Sequence, residues 1–253
     1  MADGGARPTR SIAGQNTLFT RTMHDMAYDA VHDEILVPQF FAFAILTFAG
    51  DADGNVAPIR KIFGPKTGLR IPQALAVDPI HDEIFVPGHD GDPRVSVFDR
   101  EADGDVAPLR VLETNPPPQR VGVDPVHNLL VVTGGTKIMI YDRTASGNDK
   151  PLRVISIPQS NGERRSASLM SILPEKGMIF TTVRGRGRHE NEDYVGVWSI
   201  QDQGEVAARW TIGGPNGLLH DVRGVTLDIK NQSVIVSDKT LNAVLTFHVP
   251  EAF

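Results

Sequence analysis

Residues Ala74 to Glu113 read ALAVDPIHDEIFVPGHDGDPRVSVFDREADGDVAPLRVLE. Short runs of Ile, Val, Phe and Leu alternate with Asp, Pro and Gly, so the stretch is four strands joined by turns. The same order recurs from Met26 to Gly64 as MAYDAVHDEILVPQFFAFAILTFAGDADGNVAPIRKIFG, and from Val121 to Ile157 as VGVDPVHNLLVVTGGTKIMIYDRTASGNDKPLRVISI. A repeat whose unit is four short strands is the signature of a β-propeller.

Aligning the end of each first strand places Asp29, Asp78, Asp124, Leu173 and Asp228 at one position, roughly fifty residues apart. This predicts an all-β chain of five four-stranded antiparallel blades in one domain, over residues 23–64, 72–113, 119–157, 167–213 and 222–253. The last unit stops after its third strand. Arg7 to Gly14 carries the fourth-strand pattern, so the N-terminal strand is expected to complete the last blade, with Arg10 to Gly14 pairing along Val244 to Phe247 and removing two open edges.

Within a unit, the first strand is small where strands crowd around the axis, as at Ala76-Val77 and Gly122-Val123. The following turn carries Asp-Pro-x-His at Asp78 to His81 and Asp124 to His127, a turn signal resting on the fixed φ of Pro and the side-chain acceptor of Asp. The second strand is an apolar run, such as Ile84-Phe85-Val86, suited to burial on both faces. Third strands end on Phe48, Phe98, Tyr141, Trp198 and Phe247, an aromatic phase that fits packing between blades.

Composition narrows the function classes. The chain has no cysteine, which removes disulfides, thiolate metal sites and a cysteine nucleophile. Its formal net charge of −6 argues against a general nucleic-acid binder. The start, MADGGARPTR, lacks the apolar core of a secretory signal, and no stretch reaches the apolar length of a membrane span. The expectation is a soluble monomer that binds neither nucleic acid nor membrane, in the cytoplasm or secreted with its leader removed.

The Val-Asp-Pro-x-x-x-x-Ile-Phe-Val unit and fourth strands such as Gly54-Asn55-Val56-Ala57-Pro58-Ile59-Arg60-Lys61-Ile62 resemble the short-repeat propellers of the NHL-repeat, gluconolactonase-like and YVTN types. That group holds lactonases, lyases and pure binding platforms. The shared motifs are structural, so the resemblance implies a fold and transfers no catalytic or metal-binding residue.

Candidate functional residues are those the repeat does not explain. His32, His81 and His127 share one turn position and read as structural, and His248 ends a strand. His24, His89, His189 and His220 do not repeat and fall in loops expected at the channel mouth. The position five before the aligned Asp reads His24, Gln73, Gln119, Ser168 and Arg223, polar among apolar neighbours, which predicts a polar ring at the top of the channel. In a working site, Gln73 and Gln119 would orient a polar ligand, Arg223 would hold an anionic group and His24 would move a proton. His89, Arg120, Arg184 and His220 would form the rim. Arg70, Arg164, Arg165 and the run Arg184-Gly185-Arg186-Gly187-Arg188-His189 would draw an anion, or else pair with Glu190, Glu192 and Asp193.

His24 with Asp25, His89 with Asp90 and Asp92, and His220 with Asp221 offer ligands for a divalent metal, without a short-spaced motif to support one. The Gly134-Gly135-Thr136-Lys137 loop lacks the strand-to-helix setting of a phosphate loop. Asp51 to Gly54 and Asp103 to Asp105 repeat as hairpin turns rather than calcium loops. The leading expectation is an enzyme, a lyase or hydrolase acting on a small polar or anionic molecule, with His24, His89 and Arg223 catalytic. Gln73, Gln119, Ser168, Arg120, Arg184 and His220 would bind substrate. The alternative, kept open by Phe40 and Phe41, is a non-catalytic platform for a protein or glycan.

Overall fold

The computed structural model describes residues 7–159, 165–185, 193–213 and 218–253. It is an all-β five-bladed propeller. Blade 1 holds β1 (Ala27–Asp29), β2 (Glu34–Gln39), β3 (Ala44–Ala49) and β4 (Arg60–Phe63), and blade 2 holds β5 (Ala76–Asp78), β6 (Glu83–Pro87), β7 (Arg94–Asp99) and β8 (Arg110–Glu113). Blade 3 holds β9 (Arg120–Asp124), β10 (Leu129–Gly134), β11 (Lys137–Asp142) and β12 (Arg153–Ser156). Blade 4 holds β13 (Ser166–Leu173), β14 (Met178–Arg184), β15 (Tyr194–Ser199) and, after the two-residue β16 (Gly204–Glu205), β17 (Trp210–Ile212). Blade 5 holds β18 (Val222–Asp228), β19 (Ser233–Asp238) and β20 (Ala243–His248). Within each blade, successive strands pair antiparallel.

The core lies in the seams between blades. Leu36, Ile45 and Ile62 of blade 1 pack with Leu75, Ile84 and Phe98 of blade 2. Phe85 and Leu112 meet Leu130, Val132 and Tyr141 of blade 3. Val131 and Ile155 meet Ile179 and Trp198 of blade 4, and Phe180 and Val197 meet Val234 and Val236 of blade 5. The third-strand aromatics Phe98, Tyr141 and Trp198 thus fill seams, as their phase implied.

The turn after each first strand is built around its aspartate. Asp29, Asp78 and Asp124 are fully buried, and each accepts the backbone N–H of the histidine three residues on. The ring Nδ1 of His32, His81 and His127 lies 2.8, 2.8 and 2.9 Å from the same carboxylate. Burying a carboxylate demands this many partners. Repetition of these histidines therefore has a structural cause.

The fourth strands of blades 1 to 3 also reach forward to the next blade. Ile62 bridges Gly104, Leu112 bridges Gly147 and Ile155 bridges Gly204, all in parallel. The accepting glycines have φ between 53° and 84°, a left-handed conformation that disfavours any side chain. Ile12 bridges Gly54 in the same way, and Ser11 N–H donates to Asp53 at 2.8 Å as Lys61 N–H does to Asp103. Toward blade 1, then, the N-terminal segment behaves as a fourth strand.

Toward blade 5 it does not. Among the described residues, the expected pairing of Arg10 to Gly14 with Val244 to Phe247 is absent: the sheet of blade 5 has three strands there, and Val244 is 70% exposed. The reason is apolar contact. Ile12 and Phe19 cover Val37, Leu46 and Phe48 of blade 1, whereas β20 alternates half-buried and exposed residues and offers its outer face only Val244, Thr246 and His248. No helix among the described residues is long and apolar enough to cross a membrane.

Candidate functional site

The loops entering the first strands and those between second and third strands converge over the axis on a cavity of about 950 Å³. His24 reaches it just ahead of β1, Gln73 ahead of β5, Gln119 and Arg120 at the start of β9, Ser168 from β13 and Arg223 from β18. His89 joins from the loop after β6, and Arg184 from the end of β14. The polar ring and most of the rim expected from the sequence are thus gathered around one space. Below it the cavity narrows into a channel of about 480 Å³, walled by residues of all five first strands and sharing His24, Arg120 and Arg223 with the mouth.

His220 is the exception. It does not line the mouth, its backbone N–H is held by Asp238 at 2.6 Å, and its buried Nδ1 has no hydrogen-bond partner among the described residues. The carboxylate of Asp238 also takes the N–H groups of Asp221 and Leu241, so the segment folds back around that acceptor and draws the ring away from the axis. Arg164, Arg186, Arg188, His189, Glu190 and Glu192 lie outside the described residues.

The sequence offered Asp193 only as a partner for the arginine run and Asp221 only as a metal ligand, and placed neither on the mouth. Asp193 and Asp221 line it, with Ser166 and Thr240. Asp221 takes Arg184 Nη2 at 2.6 Å on one oxygen and Arg223 Nη2 at 3.0 Å on the other, and Arg184 Nε lies 3.5 Å from Asp193. Asp193 is buried, which pushes its carboxyl up against the opposing pull of the Val222 N–H and Arg184. These arginines are therefore neutralised in place rather than free to draw an anion, and Arg223 is not the open anion site expected of it. Of the alternative pairing with Glu190, Glu192 and Asp193, only the Arg184–Asp193 contact falls within the described residues, and it is present beside the closer contact with Asp221.

At the neck stand two charges without such pairing. Burial lowers the pKa of Arg120, opposed by the charge of Asp25, and burial raises that of Asp25, opposed by Arg120 and by the backbone N–H groups of Met26 and Leu75. Burial also lowers the pKa of His24, with Arg120 and His89 adding to the effect, which favours the neutral imidazole. Beside it, the Phe40 ring stacks on His24 at 4.9 Å, on Phe41 at 4.7 Å and on His89 at 5.7 Å, and the Arg21 guanidinium covers Phe41 at 4.5 Å. His24 and His89 line the mouth, and the phenyl rings pack behind them.

Among the described residues, no three histidine or acidic side chains converge in the manner of metal ligands. His89 Nε2 instead contacts Asp90 at 3.2 Å, and Asp92 is held by both Nε and Nη2 of Arg94.

No family model matches the chain, and no curated protein does. Among solved structures, the β-propeller domain of Cps50 (Swd1) from Myceliophteria thermophila is similar, with a TM-score of 0.61 over 91% of this chain and 68% of that one. The likeness is one of fold. At 10% identity it carries no residue role across, and it supports the propeller without singling out the NHL-repeat, gluconolactonase-like or YVTN types.

Proposed function

We propose that the protein is a non-catalytic recognition propeller whose channel mouth holds the polar end of a glycan. The observation that carries this reading is the chemistry of the wall. Gln73, Gln119, Ser166 and Ser168 present donors and acceptors side by side, and the Arg184–Asp221–Arg223 cluster adds both without a large net charge. Such a surface matches hydroxyl groups, which donate and accept at once. The imidazole rings of His24 and His89, backed by Phe40, supply flat faces for the apolar side of a sugar ring. A protein partner fits less well, because protein-binding surfaces centre on a fully buried apolar patch. Here Phe41 and Phe43, 45% and 48% exposed, stand at one side of a polar opening.

The test is titration of the protein with neutral and acidic oligosaccharides, followed by amide chemical shifts of residues 73, 119, 166 and 168 and by product analysis after long incubation. Saturable shifts at the mouth with the sugar recovered intact are expected. A second reading, a lyase or hydrolase, draws on His24 and Asp25, which both line the channel below the mouth and whose neutral forms burial favours. Product formation that disappears in both His24→Gln and Asp25→Asn would establish that reading instead.

A further inference from the structure

Among the arginines of the mouth, Arg120 stands apart. Arg184 and Arg223 are each tied to a carboxylate. Arg120 has no ion pair among the described residues, and its one hydrogen bond runs from Nη1 to the carbonyl of the adjacent Gln119, at 2.8 Å. Its Nε is buried and without a partner. Nη2 likewise has no hydrogen bond to a described residue. Nε is closed to solvent, so Nη2 is the donor left to meet an oxygen of an entering carboxylate.

A half-buried guanidinium without a counter-charge is costly to leave unpaired, and chains keep few such groups. Asp25 is near enough to be felt electrostatically, yet it makes no ion pair with Arg120, and its carboxyl accepts the Met26 N–H at 2.9 Å. The remaining groups facing the neck do not fill the gap. His24 and His89 offer no negative charge, and Asp193 and Asp221 are engaged by Arg184 and Arg223.

We propose that Arg120 anchors a carboxylate of the ligand through Nη2, making the mouth selective for acidic sugars. The proposal rests on the reading of the mouth as a glycan site. The ring oxygen and hydroxyls of a uronic acid would then face Gln73, Gln119 and Ser168, while the carboxylate sits at the neck between blades. Burial already drives Asp25 toward its neutral form, so an entering anion meets less repulsion there.

The experiment uses the full chain and four probes: D-glucuronate, its methyl ester, tri-alanine with a free C-terminus and the same peptide amidated. The readouts are the dissociation constant and the Arg120 Nε–Hε resonance, assigned by its loss in Arg120→Lys. Glucuronate should move that resonance, and esterification should weaken binding at least about 30-fold, the scale of removing one partner from a buried charge pair. Arg120→Gln should lose as much, Arg120→Lys somewhat less, and Arg153→Gln on an outer strand nothing. If Arg120→Gln does not fold, the resonance in the unaltered protein decides.

Equal binding of acid and ester with an unmoved Arg120 resonance would overturn the anchor while leaving the mouth as a sugar site. No shift at residues 73, 119 or 168 with any sugar would instead defeat the underlying reading. Tri-alanine binding more tightly than glucuronate, and losing affinity on amidation, would uphold the carboxylate anchor and transfer the ligand from a sugar acid to a polypeptide terminus.

Discussion

Two seams of the ring are held by buried ion clusters, and two by hydrocarbon at the same positions. Between blades 1 and 2, the Glu34 carboxylate takes Arg60 of its own blade at 2.5 Å and Arg100 of the next at 3.0 Å. Between blades 2 and 3, Glu83 takes Arg110 at 2.5 and 2.8 Å and Arg143 across the seam. Between blades 3 and 4, the places of the glutamate and the crossing arginine are filled by Leu129 and Ile200, both in the core, and between blades 4 and 5 by Met178 and Val249. One geometric task is thus met in two chemistries. Between blades 5 and 1 the positions hold Ser233 and Gly50, which can do neither, and Arg10 donates to the Gly50 carbonyl at 2.7 Å for want of a carboxylate. Among the described residues, that seam carries neither device at these positions.

The comparison is broken hardest at Glu83. Glu83→Ala would leave Arg110 and Arg143 facing each other with their shared carboxylate gone, and should destabilise by about 3 to 5 kcal/mol, the scale for breaking a buried pair on one side. Replacing Glu83 by Leu together with Arg143→Ile copies the seam between blades 3 and 4 and should recover most of that loss. Urea unfolding of both variants measures it. A double variant as unstable as the single one would show that the ion cluster is specific to its seam and that the two chemistries are not interchangeable.

Acid separates the seams more gently. Burial alone would raise the pKa of Glu83, but the hydrogen bonds and charges of Arg110 and Arg143 hold it below the usual glutamate range. A carboxylate depressed on folding contributes stability that is present above its unfolded pKa of about 4.3 and lost as pH falls through the folded value. Amide exchange followed as pH is lowered below 4 should therefore accelerate first around β6 and β8, while β10 and β14, at the apolar seam, keep their protection. Uniform loss across all blades would contradict this division.

The blades were readable because their cause is local. An Asp that closes a turn, an apolar run of strand length and a Gly at positive φ all recur at fixed offsets, and each has a short-range physical reason. The mouth was readable at second hand, since the fold sends equivalent loops to one axis and the positions that vary there stand out. What the sequence did not disclose is who pairs with whom across the axis. Asp221 ties Arg223 within its own strand region but also Arg184 from another blade. No spacing encodes that reach, so Arg223 looked available and Arg120 looked peripheral. The closing strand misled for a related reason. The pattern at Arg10 to Gly14 is that of a fourth strand, but half of such a strand's contacts are with the following blade, and those are the contacts made.

The smallest effect is expected at the repeated histidines, and blade 5 supplies the precedent. There the aspartate is Asp228, and the residue three positions on is Asn231, whose backbone N–H and side-chain Nδ2 both donate to it, at 3.1 and 2.7 Å. Asparagine therefore reproduces the two bonds that His32, His81 and His127 give to Asp29, Asp78 and Asp124. Asparagine is also at home in a turn. The three acceptors differ from Asp228 in being fully buried, so loss of the larger imidazole uncovers some surface at each site. Changing all three histidines to Asn should lower stability by only about 0.5 kcal/mol per site, within the usual range for a substitution that keeps its hydrogen bonds. Binding at the mouth should be unchanged, since none of the three lines it. A larger loss, confined to blades 1 to 3 in amide exchange, would mean that the imidazole shields the buried aspartate in a way an amide cannot, and that the turn of blade 5 is a different solution rather than a smaller copy of the same one.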